Sequence, residues 1–176
     1  MQKPKILDAD FFARKTLAVA RDLIGMYLVT TEGGRSRAFR ITETEAYVGP
    51  HDLASHSSKG RTKRTEVMFG HPGTFYIYLI YGMYWMLNVV TEQHGFPSAV
   101  LIRGVEGFSG PGRVTKALGI TNSIQAAPAS KKTGIWFEDR GDAKPKIVRT
   151  ARIGVDYAGP VWSKKPYRFV IKGSSD

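Results

Sequence analysis

The feature that most restricts the fold is an apolar, aromatic stretch at residues 75–90. It is shorter than the roughly 20 residues that a helix needs to span a membrane, and Gly82 interrupts it. Tyrosine, tryptophan, isoleucine and valine are frequent in the stretch, and these residue types favour β-strands. The pattern predicts two antiparallel strands at residues 75–81 and 84–90, joined by a tight turn at Gly82-Met83.

The rest of the chain shows no regular alternation of strand and helix. Further strands are predicted at residues 26–31, 38–48, 99–103, 134–137 and 167–171. Two helices are predicted, one from a cap at Asp8 or Asp10 to Gly25 and one at residues 113–118. Residues 50–72 are polar and rich in turn formers, so they predict a loop. We expect α+β architecture over residues 1–176: a single mixed domain with a mostly antiparallel sheet, flanking helices and a protruding aromatic hairpin.

The composition is that of a basic protein without cysteine. The chain has 26 Lys and Arg against 15 Asp and Glu, a net charge of +11. Nucleic acid is the expected partner, with an anionic membrane surface or an acidic protein as alternatives. The absence of cysteine excludes disulfides, thiolate metal sites and cysteine nucleophiles. It also fits a reducing compartment, and no secretory signal is visible, so we expect a cytoplasmic location, associated with the nucleoid if the source is bacterial.

Sequence motifs for metal, nucleotide and serine-hydrolase chemistry are absent. The sequence contains no HExxH, no phosphate-binding GxxxxGK[ST], no GxGxxG after a strand and no GxSxG. We therefore expect neither a metal nor a cofactor.

The predicted strand at residues 38–48 carries two glutamates. Because alternate residues of a strand share a face, one side is expected to carry Phe39, Ile41, Glu43, Glu45 and Tyr47. A partly buried carboxylate has a raised pKa, which suits a general base. The alternative is a solvated face on which both glutamates pair with arginine or lysine. Periodicity does not distinguish Glu43 from Glu45.

Three residues in or near the predicted hairpin are candidates for binding. Tyr81 adjoins the turn, where a ring either protrudes into the gap left by a displaced base or packs in the core. Asn88 lies in an apolar strand, and its amide either bonds the backbone or contacts a ligand. Arg103 ends a strand, where it serves either a site or a salt bridge.

The loop at residues 50–72 contains a run of cations. They are Lys59, Arg61, Lys63 and Arg64, with His56 just upstream. Such a run is usually a solvated surface, but beside an aromatic platform it can hold the DNA backbone. A lone histidine such as His56 is more often structural than catalytic.

Two classes of function account for these features. A base-flipping enzyme needs a carboxylate, a nearby ring, a protruding ring and cations. A non-catalytic module that binds single-stranded nucleic acid on the hairpin explains the charge and the rings. It does not explain inward-facing carboxylates, which repel phosphates. A membrane-surface protein fits poorly, because no amphipathic basic helix accompanies the rings.

A series of motifs runs through nearly the whole chain. In order, they are Glu43-Thr44-Glu45-Ala46-Tyr47-Val48-Gly49-Pro50, His56-Ser57, Pro72-Gly73-Thr74, Tyr76-Ile77-Tyr78, Tyr81-Gly82-Met83-Tyr84, Ala99-Val100-Leu101-Ile102-Arg103, Gly110-Pro111-Gly112, Arg152-Ile153-Gly154-Val155 and Lys165-Pro166-Tyr167-Arg168-Phe169. The series resembles the signature of the alkyladenine, or 3-methyladenine, DNA glycosylases, the mammalian-type methylpurine glycosylases and their bacterial relatives.

The resemblance implies a single mixed α/β domain that acts as a monomer on double-stranded DNA containing damaged purines. Glu45 would be the general base that deprotonates a water, and Arg103 would help to hold that water. The matched site contains no lysine, so we expect a monofunctional glycosylase that excises alkylated or deaminated purines, such as 3-methyladenine or hypoxanthine, and leaves an abasic site.

The resemblance also implies contacts with the flipped base. The walls of the base pocket would be Tyr47, His56 and Tyr78. Asn88 would disfavour the exocyclic amine of guanine, and Tyr81 would fill the space left in the duplex. Ile135 matches a position whose backbone carbonyl contacts the water.

Overall fold

Most of the predicted elements are present in the computed structural model, which describes residues 3–174. The strands are β1 (Lys5–Ile6), β2 (Tyr27–Glu32), β3 (Arg35–Tyr47), β4 (Phe75–Ile80), β5 (Tyr84–Val90), β6 (Ala99–Val105), β7 (Phe108–Ser109), β8 (Ile135–Asp139), β9 (Ile147–Thr150) and β10 (Arg168–Ile171). The α-helices are α1 (Ala9–Phe12), α2 (Thr16–Leu23), α3 (Pro111–Leu118) and α4 (Gly159–Trp162). The predicted basic loop contains two short 3-10 helices, His56–Lys59 and Glu66–Phe69.

All strand pairs in the described part of the chain are antiparallel. The sheet has the order β1-β8-β2-β3-β6-β5-β4, with β7 paired to β6 and β10 paired to both β3 and β9. The first half of β3 pairs with β2, and its second half lies between β6 and β10. The α+β prediction is confirmed. The ends of the predicted domain, residues 1, 2, 175 and 176, lie outside the described residues.

The face of β3 changes partway along the strand, so the predicted continuous face from Phe39 to Tyr47 is wrong. Ile41 pairs with Val105, and both lie in the main core. The register between β3 and β6 shifts between Ile41 and Thr44. After this irregularity the even-numbered residues face the core: Ala46 lies in the core, and the Thr44 hydroxyl donates a hydrogen bond to the backbone of α2. Glu45 therefore lies on the face opposite to Ile41.

The predicted first helix is divided in two. Asp8 caps α1, as predicted, by accepting a hydrogen bond from the Phe11 amide. Glu92, far along the chain, accepts hydrogen bonds from both the backbone N–H and the hydroxyl of Thr16 at the start of α2. This distant carboxylate supplies the first turn of α2 with an acceptor. None of the helices in residues 3–174 is long and apolar enough to cross a membrane.

The β4–β5 hairpin is confirmed, but its turn lies one residue earlier than predicted. The Met83 amide donates to the Ile80 carbonyl, so Tyr81 and Gly82 are the central residues. Both have positive φ, at 52° and 65°, which is the φ pattern of a type I′ turn. Tyr81 consequently occupies the tip of the hairpin.

Candidate active site

An open cleft of about 1090 Å³ separates the hairpin and the basic loop from the segment that follows β9. The predicted aromatic residues that line it are Tyr47, His56, Tyr78 and Tyr81. The predicted cations that line it are Lys59, Arg64 and Arg103, and Arg113 at the start of α3 joins them. The fold thus brings residues that are widely separated in the sequence onto one surface.

Glu45 lies directly behind the wall of this cleft. Its side chain is fully buried. Its Oε2 accepts a hydrogen bond from the Tyr47 hydroxyl at 2.8 Å, and its Oε1 accepts one from the Ile153 amide at 2.8 Å. The Arg103 Nε lies 3.5 Å from the same Oε1. All three partners of Glu45 line the cleft.

Burial controls the ionisation of Glu45 and Tyr47. The loss of solvent raises the pKa of Glu45 above its ordinary value, although Arg103, the Ile153 amide and Tyr47 oppose the shift. Burial and the neighbouring carboxylate raise the pKa of Tyr47 well above 10, so its hydroxyl stays protonated and donates to Glu45. Glu45 has the environment of a general base that ionises at higher pH than an exposed glutamate.

Glu43 has a different environment. Its Oε1 accepts hydrogen bonds from the Nε of Arg103, at 2.9 Å, and from the Nε of Arg168 on β10. Two arginines hold this carboxylate by ion pairs, whereas among the described residues Glu45 has an ion pair with Arg103 alone, at a longer distance. The contacts therefore distinguish two glutamates that strand periodicity left equivalent.

Three rings in mutual contact, those of His56, Tyr76 and Tyr78, form an aromatic wall on the hairpin side, and His56 and Tyr78 line the cleft. The rings of His56 and Tyr78 are 4.6 Å apart, edge to face, and the Tyr76 and Tyr78 rings are 5.4 Å apart. His56 Nδ1 is hydrogen-bonded to the Tyr76 hydroxyl at 3.0 Å. Burial, with the positive charges of Arg64 and Lys59, lowers the pKa of His56 to about 4. A neutral ring at ordinary pH suits contact with an alkylated, positively charged purine.

Asn88 lies deeper than the aromatic wall. It lines a small cavity of about 30 Å³ together with Tyr47, His56 and Tyr78, which also line the cleft. Its Nδ2 donates to the Tyr76 carbonyl at 3.1 Å and to the Met86 carbonyl at 3.4 Å. The backbone contacts that the sequence left open are therefore present, and they fix the amide at the inner end of the pocket.

The four cations of the basic loop have different surroundings. Lys59 and Arg64 line the cleft, and the Arg64 guanidinium lies 5.5 Å from the centre of the Tyr78 ring. Arg61 makes a two-pronged pair with Glu66, at 2.7 and 2.6 Å, and does not line the cleft. Lys63 is exposed outside it. Only two of the four cations therefore border the cleft.

The comparison with known families agrees with this site. The family model described as methylpurine-DNA glycosylase matches residues 10–109 and 105–175. This chain belongs to the methylpurine-DNA glycosylase family. The family predicted from the motifs is confirmed, and it places the chain among the DNA glycosylases of base excision repair.

Similar bacterial and archaeal proteins are provisionally named 3-methyladenine DNA glycosylases. One from Anaeromyxobacter sp. (strain Fw109-5) is 46% identical, over 96% of this chain and 90% of its own. One from Methanocella arvoryzae is 46% identical, over 96% and 94%. One from Legionella pneumophila (strain Corby) is 44% identical, over 94% of each chain.

The glycosylase contains a buried ion pair that sequence reasoning did not single out. Arg152 donates to Asp52 through both terminal nitrogens and to the Ala46 carbonyl, and its Cζ lies 4.8 Å from the centre of the Tyr47 ring. Asp52 also accepts from the amides of Val48 and Ala54. The pair joins the end of β3 to the segment that presents Ile153 to Glu45. Arg152 belongs to one of the family motifs and Asp52 follows another by two residues, but nothing in the sequence indicates that they meet.

The role assigned to Ile135 is wrong. This residue lies in β8, buried in the core, and its carbonyl accepts a hydrogen bond from the Ser130 amide. Strand β8 pairs with β1 and β2, so it is separated from the second half of β3 and from the cleft. The isoleucine beside Glu45 in the glycosylase is Ile153.

The described part of the glycosylase, residues 3–174, offers no cluster of three or more histidine, aspartate or glutamate side chains arranged to hold a metal ion.

Proposed function

We propose that the protein flips 3-methyladenine and other alkylated or deaminated purines out of double-stranded DNA into the cleft and hydrolyses their N-glycosidic bonds. The products are the free base and an abasic site. The names of the relatives support 3-methyladenine as a substrate. The aromatic wall supports a purine ring as the group that binds, and the cations along the cleft support a flanking DNA backbone.

The position of Glu45 carries the proposal. Each polar contact of this buried carboxylate comes from a residue that lines the cleft: Tyr47, Arg103 and Ile153. A water that enters among these residues meets a carboxylate whose pKa is raised by burial. Such a group accepts a proton more readily than an exposed glutamate does.

The reaction consumes one water for each base released. Glu45 accepts a proton from the water while the water oxygen attacks C1′ of the sugar. The bond between C1′ and the base nitrogen breaks, and its electron pair goes to the base. A purine alkylated at N3 or N7 thereby leaves as a neutral base, and Glu45 returns its proton to solvent. A neutral lesion such as hypoxanthine must also take up a proton from solvent to leave as a neutral base. Before it accepts the proton, the negative charge of Glu45 also stabilises the positive charge that develops on the sugar.

The nucleophile in this proposal is water rather than an amine. Within residues 3–174 the contacts of Glu45 come from a tyrosine, an arginine and a backbone amide, and none comes from a lysine. Borohydride should therefore trap no covalent adduct between the protein and damaged DNA, and the strand should stay intact until alkali is added. A trapped adduct would show that an amine attacks the sugar.

The variant Glu45→Gln tests the proposed base. Duplexes with a single 3-methyladenine, hypoxanthine or ethenoadenine are incubated with excess protein, and abasic sites are measured by alkaline cleavage. The amide cannot accept the proton of the water, so base release should fall by at least about 100-fold, a factor typical of general-base removal. Binding to the same duplexes, measured by fluorescence anisotropy, should change little because the variant keeps the shape of the side chain.

A matched control is Glu138→Gln. Glu138 on β8 is also a buried glutamate, it accepts hydrogen bonds from Trp136 and from Arg140 just after the strand, and it does not line the cleft. This variant should release bases at the wild-type rate. Near-normal release by Glu45→Gln would contradict the role of Glu45. A wild-type protein that binds duplexes without releasing any of the three bases would favour the binding module.

A further inference from the structure

Arg103 lies between two carboxylates. Its Nε is 2.9 Å from Glu43 Oε1 and 3.5 Å from Glu45 Oε1. Among the described residues Arg103 makes hydrogen bonds and ion pairs only through Nε. Its two terminal nitrogens are therefore available to a ligand in the cleft, which Arg103 lines. Its Nε donates a hydrogen bond to Glu43 and forms a longer ion pair with Glu45.

Glu43 is in turn fixed by β10 and by β6. The Arg168 Nε donates to the same Glu43 oxygen as Arg103 does, and Arg168 Nη1 donates to the Thr150 hydroxyl on β9. A side-chain carbon at Gly104 would lie 3.0 Å from Glu43 Cβ and 2.8 Å from the Thr42 hydroxyl. The glycine next to Arg103 thus leaves room for the glutamate that binds Arg103.

We infer that Glu43 and Arg168 are positioning residues, whose opposite charges together hold Arg103 beside Glu45. Glu43 keeps Arg103 from closing onto Glu45, and Arg168 limits how strongly Glu43 attracts Arg103. The inference rests on the proposed function, because it concerns how the base Glu45 is kept both ionisable and accessible. Two carboxylates and two guanidinium groups make the cluster neutral, so the loss of one member redistributes the other three.

The two positioning residues should have opposite effects on Glu45. Without the charge of Glu43, Arg103 closes onto Glu45, lowers its pKa and occupies its oxygen. Without Arg168, Glu43 draws Arg103 towards itself, and Glu45 loses a positive neighbour, so its pKa rises. An opposite charge at this distance typically shifts a carboxyl pKa by about one unit or more.

The tyrosines and arginines around Glu45 do not titrate in the same range as a carboxyl group. They are Tyr47 on β3, Tyr78 on β4, Arg103 on β6, and Arg152 and Tyr157 after β9, and Glu43 on β3 is the other carboxylate beside Glu45. Burial raises the pKa of each of the three tyrosines, which therefore stay neutral, and the arginines stay charged. The pH profile of base release therefore follows the proposed base, Glu45, and the Glu43→Gln variant removes the other carboxylate.

The test is the pH dependence of single-turnover release of 3-methyladenine from a duplex, because this cationic base leaves without taking up a proton. In the wild type the rate should rise with pH as Glu45 ionises and then level off. Glu43→Gln should move this rise to lower pH by about one unit and lower the plateau by about tenfold or more. Arg168→Gln should move the rise to higher pH by a similar amount with a smaller effect on the plateau, and Arg168→Lys should restore the wild-type profile.

A double variant separates positioning from a general loss of structure. Because Arg168 acts through Glu43, adding Arg168→Gln to Glu43→Gln should leave the profile of the single Glu43 variant unchanged. The matched controls are Glu138→Gln and Arg140→Gln, each of which removes one member of an ion pair at the end of β8. Both controls should keep the wild-type profile.

Two results would overturn the inference while leaving the proposed function in place. One is a shift in the same direction for Glu43→Gln and Arg168→Gln, and the other is no shift in either. If Glu43→Gln does not fold, the Arg168→Gln and Arg168→Lys variants still test the inference. An unshifted pH profile of Arg168→Gln would contradict a role for Arg168 in positioning Arg103. Failure of the proposed function looks different: either the wild type releases no base, or Glu45→Gln remains active.

Discussion

At the scale of single residues, Tyr81 combines a strained backbone with an exposed ring. Its φ of 52° lies in the left-handed region, and 85% of the residue is exposed. A residue with a Cβ in this conformation costs about 1–2 kcal/mol, and an exposed ring recovers little of that by burial. Strain of this kind is concentrated at functional sites, which supports a ring that enters the DNA duplex.

The substitution Tyr81→Asn should therefore raise stability and lower activity together. Asn-Gly is the preferred pair for a turn with positive φ at both central residues, so the free energy of unfolding in urea should increase by about 1 kcal/mol. Stacking of a ring on bases contributes about 1–3 kcal/mol, so base release from a duplex should fall by about tenfold to a hundredfold. Tyr81→Phe keeps the ring and should change neither quantity. Unchanged release by the asparagine variant would exclude a role for the ring.

The candidate residues were largely identifiable from the sequence, but their contacts were not. Glu43 and Glu45 share a face and a strand, so only partners from elsewhere distinguish them. Those partners are Arg168, 125 residues from Glu43, and the Ile153 amide, 108 residues from Glu45. No local pattern records such a pairing.

At the scale of elements, β4 forms one end of the sheet's main strand order, and a side chain covers part of its edge. Gln125 accepts a hydrogen bond from the Ile77 amide at 2.7 Å and donates one to the Ile77 carbonyl at 3.0 Å. It thereby takes the place of a neighbouring strand. Phe75 is covered similarly, through backbone bonds with Ala126 and Ala127. Beyond Ile77 the hairpin extends to the exposed Tyr81.

Replacing Gln125 with alanine should weaken this end of the sheet. The buried Ile77 would lose both partners, so the free energy of unfolding in urea should fall by about 1–2 kcal/mol. Hydrogen exchange at the Ile77 amide should also become faster. Asn122→Ala changes an exposed amide in the same segment and should stay within about 0.5 kcal/mol of the wild type. An unaltered exchange rate in Gln125→Ala would show that water replaces the side chain without loss.

The accuracy of the predicted elements follows their length. The hairpin strands were predicted to within a residue at each end, because many aromatic and β-branched residues support them. Strands β1 and β7 contain two residues each, too few to show a period, and were missed, as was the four-residue strand β9. The irregularity after Ile41 reversed the predicted face because it arises from the pairing with β6 rather than from the composition of β3.

At the scale of the whole molecule, segments far apart in the chain form the two sides of the site. The Asp52–Arg152 pair bridges 100 residues and connects the loop carrying His56 with the segment carrying Ile153. The family motifs indicated which residues belong to the site, and the sheet order determines how they meet. A short-range sequence pattern could predict the fold class, but it could not predict which distant segments meet at the site.

The net charge of +11 gives the last prediction, which concerns DNA binding. Each cation that contacts a phosphate steepens the logarithmic salt dependence of binding by about 0.9. Arg113→Ala should weaken binding to an undamaged duplex and reduce that slope by about this amount, because Arg113 lines the cleft. Arg61→Ala should leave the slope nearly unchanged, because Glu66 already holds that guanidinium.

The measurement is fluorescence anisotropy of a labelled duplex at several salt concentrations, with Lys132→Ala as a control for an exposed lysine outside the cleft. Equal changes in slope for Arg113, Arg61 and Lys132 would mean that the charge acts as a diffuse field. A large change for Arg61 alone would mean that DNA displaces Glu66, and that the basic loop, as the sequence indicated, holds the backbone. A change confined to Arg113 would place the duplex along the cleft beside α3.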